Sequence, residues 1–265
     1  MNILEKIVEQ KKMSVSASEK KITEARLRAD AFALAGRTKR PFFQALSKPG
    51  CFGANIIAEI KRASPSKGPI RIDLDPMRLA RAYENGGATA LSVLTDTPFF
   101  KGSLDDLKIA RSATSIPVLR KEFIISTYQL YETVVSEADA VLLIVRILER
   151  SQLKDYLQLC KELRLDALVE IYSEKELEDA CWAGARLIGI NNRNLRSFET
   201  STDNAINLAG KLNTGQVAVA ASGIRNRQDI LEAKEAGIWN FLIGESLVRS
   251  EKPDAFLRTL LGQSA

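Results

Sequence analysis

Residues 140–192 read AVLLIVRILERSQLKDYLQLCKELRLDALVEIYSEKELEDACWAGARLIGINN. Three short runs in this stretch, 140–145, 166–172 and 187–192, are nearly all apolar and rich in Val, Ile and Leu. Between them, 152–163 and 174–183 carry apolar residues at helical spacing. Gly184 follows the second, where glycine supplies a left-handed cap. Strands without polar alternation are buried on both faces, and strands that alternate with helices pair in parallel. The stretch therefore reads as strand-helix-strand-helix-strand in a parallel sheet covered by helices.

The same grammar extends in both directions. Further apolar runs lie at 55–61, 90–95, 117–123, 217–222 and 241–244, giving eight strands in all. Amphipathic stretches at 77–85, 104–113 and 227–236 separate them. Gly86-Gly87 and Gly237 stand directly behind two of these, in the position Gly184 takes. Eight such units in 265 residues predict a closed (β/α)8 barrel, which commonly takes about 250 residues as one domain. A doubly wound open sheet is the structural alternative, but no GxGxxG follows the first strand. One domain is expected over residues 1–265.

Residues 1–54 do not fit the repeat. Helical patterns cover 3–10 and 20–35, a short turn of helix covers 41–45, and Lys48-Pro49-Gly50 turns into the first strand. Ile3, Leu4, Ile7 and Val8 recur at helical spacing, so a packed helical extension is expected rather than a free tail. Together with Phe42-Phe43 they are expected to cover the catalytic face.

Composition excludes several classes of function. Hydrophobic residues make up 45%, enough for a large core. No run approaches the ~20 apolar residues of a membrane span. The start, MNILEKIVEQKK, has none of the parts of a secretory signal. The expected compartment is the cytoplasm. The net charge of +5 arises from 38 basic and 33 acidic residues without a basic stripe, so no nucleic-acid partner is expected. Cys51, Cys160 and Cys181 are scattered and odd in number, which argues against a disulfide framework. There is no histidine, so Ser-His-Asp and Cys-His catalysis and His-ligated zinc are excluded. Acid–base chemistry must fall to Lys, Glu, Asp, Tyr or Cys.

Barrel enzymes carry their active sites at the C-terminal ends of the strands. Side chains alternate in and out along a strand, so one choice of parity selects the inward set. It gathers Glu59 and Lys61 from the first strand, and Lys121 and Phe123 from the third. It adds Glu170 from the fifth, with Asn191 and Arg193 from the sixth. Two lysines and two glutamates can serve as acids and bases, because burial and mutual charge are expected to move their pKa values toward neutrality. Behind the seventh and eighth strands stand Ser222-Gly223 and Gly244-Glu245. Glycines there let backbone N–H groups approach an anion, and these two loops often form the phosphate site of such barrels.

Residues 57–68, IAEIKRASPSKG, resemble the signature of indole-3-glycerol phosphate synthases. The resemblance continues through LSVLTD at 91–96, FFKGS at 99–103, PVLRKEFI at 117–124, AVLLI at 140–144, LVE at 168–170, GINNRNL at 189–195 and GESLVR at 244–249. It spans nearly the whole chain, including the N-terminal extension. It implies a carboxy-lyase that joins the sugar portion of 1-(2-carboxyphenylamino)-1-deoxyribulose 5-phosphate to its aromatic ring, then expels CO2 and water. It implies no metal, nucleotide or organic cofactor, and no obligate protein partner. The substrate is a small anionic sugar phosphate.

By the same resemblance Lys121 and Lys61 are the acids that activate carbonyl and hydroxyl, in an order left open. Glu170 removes a proton, Glu59 orients Lys61, and Asn191 holds the sugar hydroxyls. Arg193 and Ser64 lie near the anthranilate end, while Pro65, Phe100 and Phe123 wall the ring. Ser222, Gly223, Gly244 and Glu245 bind phosphate, largely through backbone groups. Three positions depart from the family pattern: Ala221 stands where glutamate is usual, and Asn194 and Ser126 where aspartate is common. The loss at 221 raises an alternative, a phosphate-ligand-binding barrel with reduced or lost catalysis. A Schiff-base aldolase barrel with Lys121 as nucleophile is a further alternative.

Overall fold

The computed structural model describes residues 2–36, 39–193 and 203–263. Asn194 lies outside them. Eight parallel strands close into a barrel: β1 (Asn55–Ile60), β2 (Ala90–Leu94), β3 (Val118–Lys121), β4 (Ala140–Ile144), β5 (Asp166–Ile171), β6 (Leu187–Asn191), β7 (Val217–Ala221) and β8 (Asn240–Ile243). Neighbours in the chain are neighbours in the ring. β8 returns to β1 from Asn55↔Asn240 through Ala58↔Ile243, so no edge is left open. The helices are α1 (Ile3–Glu19), α2 (Glu24–Leu34), α3 (Phe42–Leu46), α4 (Pro76–Asn85), α5 (Thr97–Phe100), α6 (Leu104–Ala113), α7 (Thr127–Val135), α8 (Arg150–Glu162), α9 (Glu174–Ala183), α10 (Asp203–Ala209), α11 (Arg227–Glu235), α12 (Glu245–Arg249) and α13 (Pro253–Leu261).

The strands read as continuous apolar runs because both faces are buried. In β4, Ala140, Leu142 and Ile144 point into the barrel with Ile57, Leu119, Leu168, Leu187, Val219 and Leu242. Val141 and Leu143 point outward and pack beneath the helices with Leu91, Val93, Val169 and Ile188. The inward set is the parity read from the sequence. Helix starts are fixed by short polar caps. Asp75 accepts from the Met77 and Arg78 N–H groups, with Pro76 at the first helical position. Ser126 accepts from Tyr128 N–H at the head of α7. Serine and aspartate both cap helices, so Ser126 fills the capping role open to an aspartate at this position. Gly184 ends α9 at φ 85°. Cys160 is buried, which pushes its thiol up to about 12 and leaves it inert. No helix among the described residues is long and apolar enough to cross a membrane.

The N-terminal segment divides between the two ends of the barrel. α1 crosses the C-terminal mouth and is more than twice as long as its apolar pattern indicates. Its buried stripe runs Ile7, Lys11, Val15, so the third turn continues the stripe through a lysine that the periodicity reading passes over. α3 corrects the expectation that Phe42-Phe43 cover the catalytic face. Phe42 and Leu46 are fully buried at the opposite pole, against Leu119, Ala140, Leu168 and Leu187. Backbone ties hold them there: Phe43 N–H donates to Asp166 and the Trp239 indole N–H to the Leu46 carbonyl. The starts of the strands leave an apolar hole that needs a plug, and a compact aromatic turn fills it. Phe42→Ala is expected to cost about 3–5 kcal/mol by opening a cavity in that plug. A urea titration checks it, with ligand binding at the far mouth as the internal control.

Candidate active site

The C-terminal ends of the strands open into a cavity of about 730 Å³. Its lining contains every residue singled out above: Glu59, Lys61, Ser64, Pro65, Phe100, Lys121, Phe123, Glu170, Asn191, Arg193, Ser222, Gly223, Gly244 and Glu245. Ala221 lines it too, in register between Asn191 and Leu242.

Two ammonium–carboxylate pairs stand in this cavity. Lys61 Nζ lies 2.6 Å from Glu59 Oε1, because positions two apart on one strand share a face. Lys121 Nζ donates to Glu170 Oε2 at 2.9 Å, from β3 across to β5. Asn191 Nδ2 donates to the other Glu170 oxygen at 3.3 Å, and its side-chain oxygen Oδ1 accepts from the Arg193 N–H at 2.9 Å. Burial pulls the Lys121 pKa down, but the Glu170 and Glu59 carboxylates outweigh it and hold the ammonium above its ordinary value. This corrects the expectation of a shift toward neutrality: Lys121 is a standing acid, not a free amine. The correction follows from distance, which the sequence does not give.

One end of the cavity is formed by the loops behind β7 and β8. Ser222 and Gly223 sit at φ 70° and 87°, successive left-handed residues directly behind β7. Asn192 secures that turn: it donates to the Ser222 carbonyl, and its N–H donates to the Ala221 carbonyl. Gly244 heads α12 with no side-chain cap, so the first N–H groups of that turn have no intrahelical partner. The Glu245 carboxylate accepts from Arg249 Nε at 3.1 Å. Arg225, Arg249 and Lys67 also line the cavity. The parity reading missed these three because they lie beyond the strands, although Arg225 and Arg249 follow the two glycine loops closely in sequence.

The other end is aromatic. The Phe100 and Phe123 rings lie 5.9 Å apart, tilted by 39°. In the same cavity, Ser64 Oγ and Arg193 Nε are buried without a hydrogen-bond partner among the described residues. Ser64 belongs to a two-residue hairpin, Ala63–Ser64 against Gly68–Pro69, which folds over the rim. Arg193 reaches that hairpin through a hydrogen bond to Ser66. Ile3, Leu4 and Ile7 of α1 complete the wall. The arrangement brings two lysine–glutamate ion pairs, a glycine-bearing end and an aromatic slot into one chamber.

The family model for indole-3-glycerol phosphate synthase matches residues 4–260. An indole-3-glycerol phosphate synthase of Desulfosudis oleivorans is 55% identical, with 98% of each chain covered. Another, from Syntrophobacter fumaroxidans, is 48% identical over 100% of this chain and 99% of its own. Among solved structures, thiamine phosphate pyrophosphorylase from Pyrococcus furiosus superposes with a TM-score of 0.61 at 14% identity. It covers 82% of this chain and 95% of that one. That likeness concerns the fold alone.

Proposed function

Because the chain belongs to the indole-3-glycerol phosphate synthase family, we propose that Lys61 and Lys121 are the acids of its reaction and Glu170 the base. The activity is that of indole-3-glycerol phosphate synthase: ring closure, decarboxylation and dehydration of 1-(2-carboxyphenylamino)-1-deoxyribulose 5-phosphate. A five-membered ring forms when the aromatic carbon bearing the carboxylate bonds to the sugar carbonyl at C2. The carbonyl oxygen takes one proton from an ammonium. Loss of CO2 returns its electron pair to the aromatic ring. The new hydroxyl takes a second proton and leaves as water, while C1 gives a proton to a carboxylate. Two donors and one acceptor are required, and the facing pairs Lys61–Glu59 and Lys121–Glu170 supply them. This pairing is the observation that carries the proposal.

The substrate lies with its phosphate against Ser222, Gly223, Gly244 and Glu245. Its ring lies between Phe100 and Phe123 over Pro65, its carboxylate at Ser64 and Arg193, and its hydroxyls at Asn191. The site takes a small anionic sugar phosphate, acts in the cytoplasm and recognises neither nucleic acid nor membrane. Fluorescence of the indole product tests the activity directly. A folded enzyme that releases none from this substrate would refute the assignment. A Schiff-base mechanism needs an unprotonated lysine. Glu170 keeps Lys121 protonated, so borohydride is expected to trap no substrate on it.

Ala221 is the position where a carboxylate is missing. Glutamate there would face the same chamber, stabilise the ammonium forms of the lysines and raise their pKa values. An acid must stay protonated to act, so the alkaline limb of the pH–rate profile is expected to move upward in Ala221→Glu, with a higher kcat/KM. An unmoved profile would mean that the existing carboxylates already suffice.

A further inference from the structure

Lys11 is the one charged residue in the buried stripe of α1, and the mechanism does not use it. Its ammonium sits between two buried carboxylates, 2.9 Å from Asp96 Oδ2 and 2.8 Å from Glu122 Oε1. Each carboxylate has a second task. Asp96 Oδ1 accepts from the Phe99 and Phe100 N–H groups at 2.8 and 3.3 Å, which sets the head of α5 and carries the Phe100 ring. Glu122 Oε1 accepts from the Phe123 N–H at 2.8 Å, and its other oxygen accepts from the Thr95 hydroxyl at 2.8 Å. A single cation thus touches the holders of both aromatic walls, and its helix brings Ile3, Leu4 and Ile7 to the same cavity.

We propose that Lys11 is a positioning residue that sets the width of the Phe100–Phe123 slot and couples it to the seating of α1 over the mouth. It does not touch substrate. Without the ammonium, Asp96 and Glu122 face each other as buried like charges. Their repulsion drives the two carboxylates apart, and each carries its phenylalanine with it. Arg120 lies 3.9 Å from Glu122 but is already committed to Glu132 at 2.6 Å, so it does not replace Lys11. The inference rests on the reading that the substrate ring occupies this slot.

The consequence is selective. Ring binding suffers while the phosphate cradle behind β7 and β8 and the Glu59–Lys61 pair at the end of β1 keep their geometry, and Lys121, although it directly precedes Glu122, stays fixed by its hydrogen bond to Glu170 on β5. In Lys11→Met, KM for the carboxyphenylamino substrate is expected to rise about tenfold or more, with kcat changed less than about threefold. The inhibition constant of ribulose 5-phosphate, which lacks the ring, is expected to stay at the wild-type value. Lys11→Arg, which can still bridge both carboxylates, is expected to restore KM. If Lys11→Met does not fold, Lys11→Gln serves, with a smaller rise in the same direction. An unchanged KM in a folded variant overturns the proposal. So does a parallel loss of substrate and ribulose 5-phosphate binding, which marks a general loosening of the site. Phe123→Ala, measured alongside, separates the two ideas. A raised KM there with none in Lys11→Met removes only the Lys11 link, whereas no change in either removes the aromatic slot itself.

Discussion

Lys121→Ala is expected to lower kcat by about 10²–10⁴-fold, the usual worth of one positioned general acid, while the barrel stays folded. The ammonium hydrogen-bonds to Glu170 at the rim of the barrel and not within its apolar core. Glu170 keeps the Asn191 amide as a partner when the lysine is gone, so the buried carboxylate is not left bare. On the proposed reading the phosphate is held behind β7 and β8 and Phe123 stays anchored through its own N–H to Glu122, so KM is expected to move far less than kcat. Lys121→Arg sharpens the reading. Arginine keeps the charge and the pairing with Glu170, but its proton is not available at working pH. It is therefore expected to bind substrate and still turn over slowly. Near-native kcat in a folded Lys121→Ala enzyme would remove Lys121 from the chemistry. Recovery of rate in Lys121→Arg would reduce its role to charge alone.

The fold was legible in the sequence where burial left no choice of pattern. Both faces of each strand are covered, so β4 and β6 read as unbroken apolar runs, and one parity sorted inward from outward residues along every strand. The site was legible for the same reason: Glu59, Lys61, Lys121, Glu170 and Asn191 are inward positions at strand ends. Features that depend on three-dimensional distance were not legible. An aromatic pair such as Phe42-Phe43 announces burial but not the pole at which it is buried. A lysine inside an apolar stripe ends the periodic signal, although Lys11 is buried because two carboxylates meet it there. The direction of the Lys121 shift was misjudged because burial and carboxylate proximity oppose each other, and only the 2.9 Å contact decides between them. The left-handed turn at Ser222 has no signature in its own residue type. It is held from outside by Asn192, which directly follows the adjacent strand.

Gly244→Val is expected to lower kcat/KM on the order of 10²-fold or more, the scale of an ångström-sized misplacement of reacting groups. The reason lies in what a side chain would meet. A Cβ at 244 would fall 2.5 Å from Glu59 Oε1, 3.0 Å from Lys61 Nζ and 3.2 Å from Glu59 Cβ. The first two atoms are the ion pair itself, 2.6 Å apart. Two effects then add. With the phosphate placed as proposed, the branched side chain blocks its close approach to the backbone N–H groups at the head of α12, which raises KM. It also pushes Glu59 and Lys61 out of register with the reacting atoms, which lowers kcat. The atoms displaced first are side-chain tips and not backbone, so the cost is expected to fall on function while the melting temperature changes little. Inorganic phosphate gives an independent measure of the first effect, since its inhibition constant should rise in step with KM. Gly244→Ala, which adds the Cβ alone, is expected to lie between wild type and valine in both parameters. If Gly244→Val kept a native phosphate inhibition constant, the anion would have to be held elsewhere. If it kept a native kcat, the Glu59–Lys61 pair would have to be free to move without loss, and its place in the chemistry would fall with it.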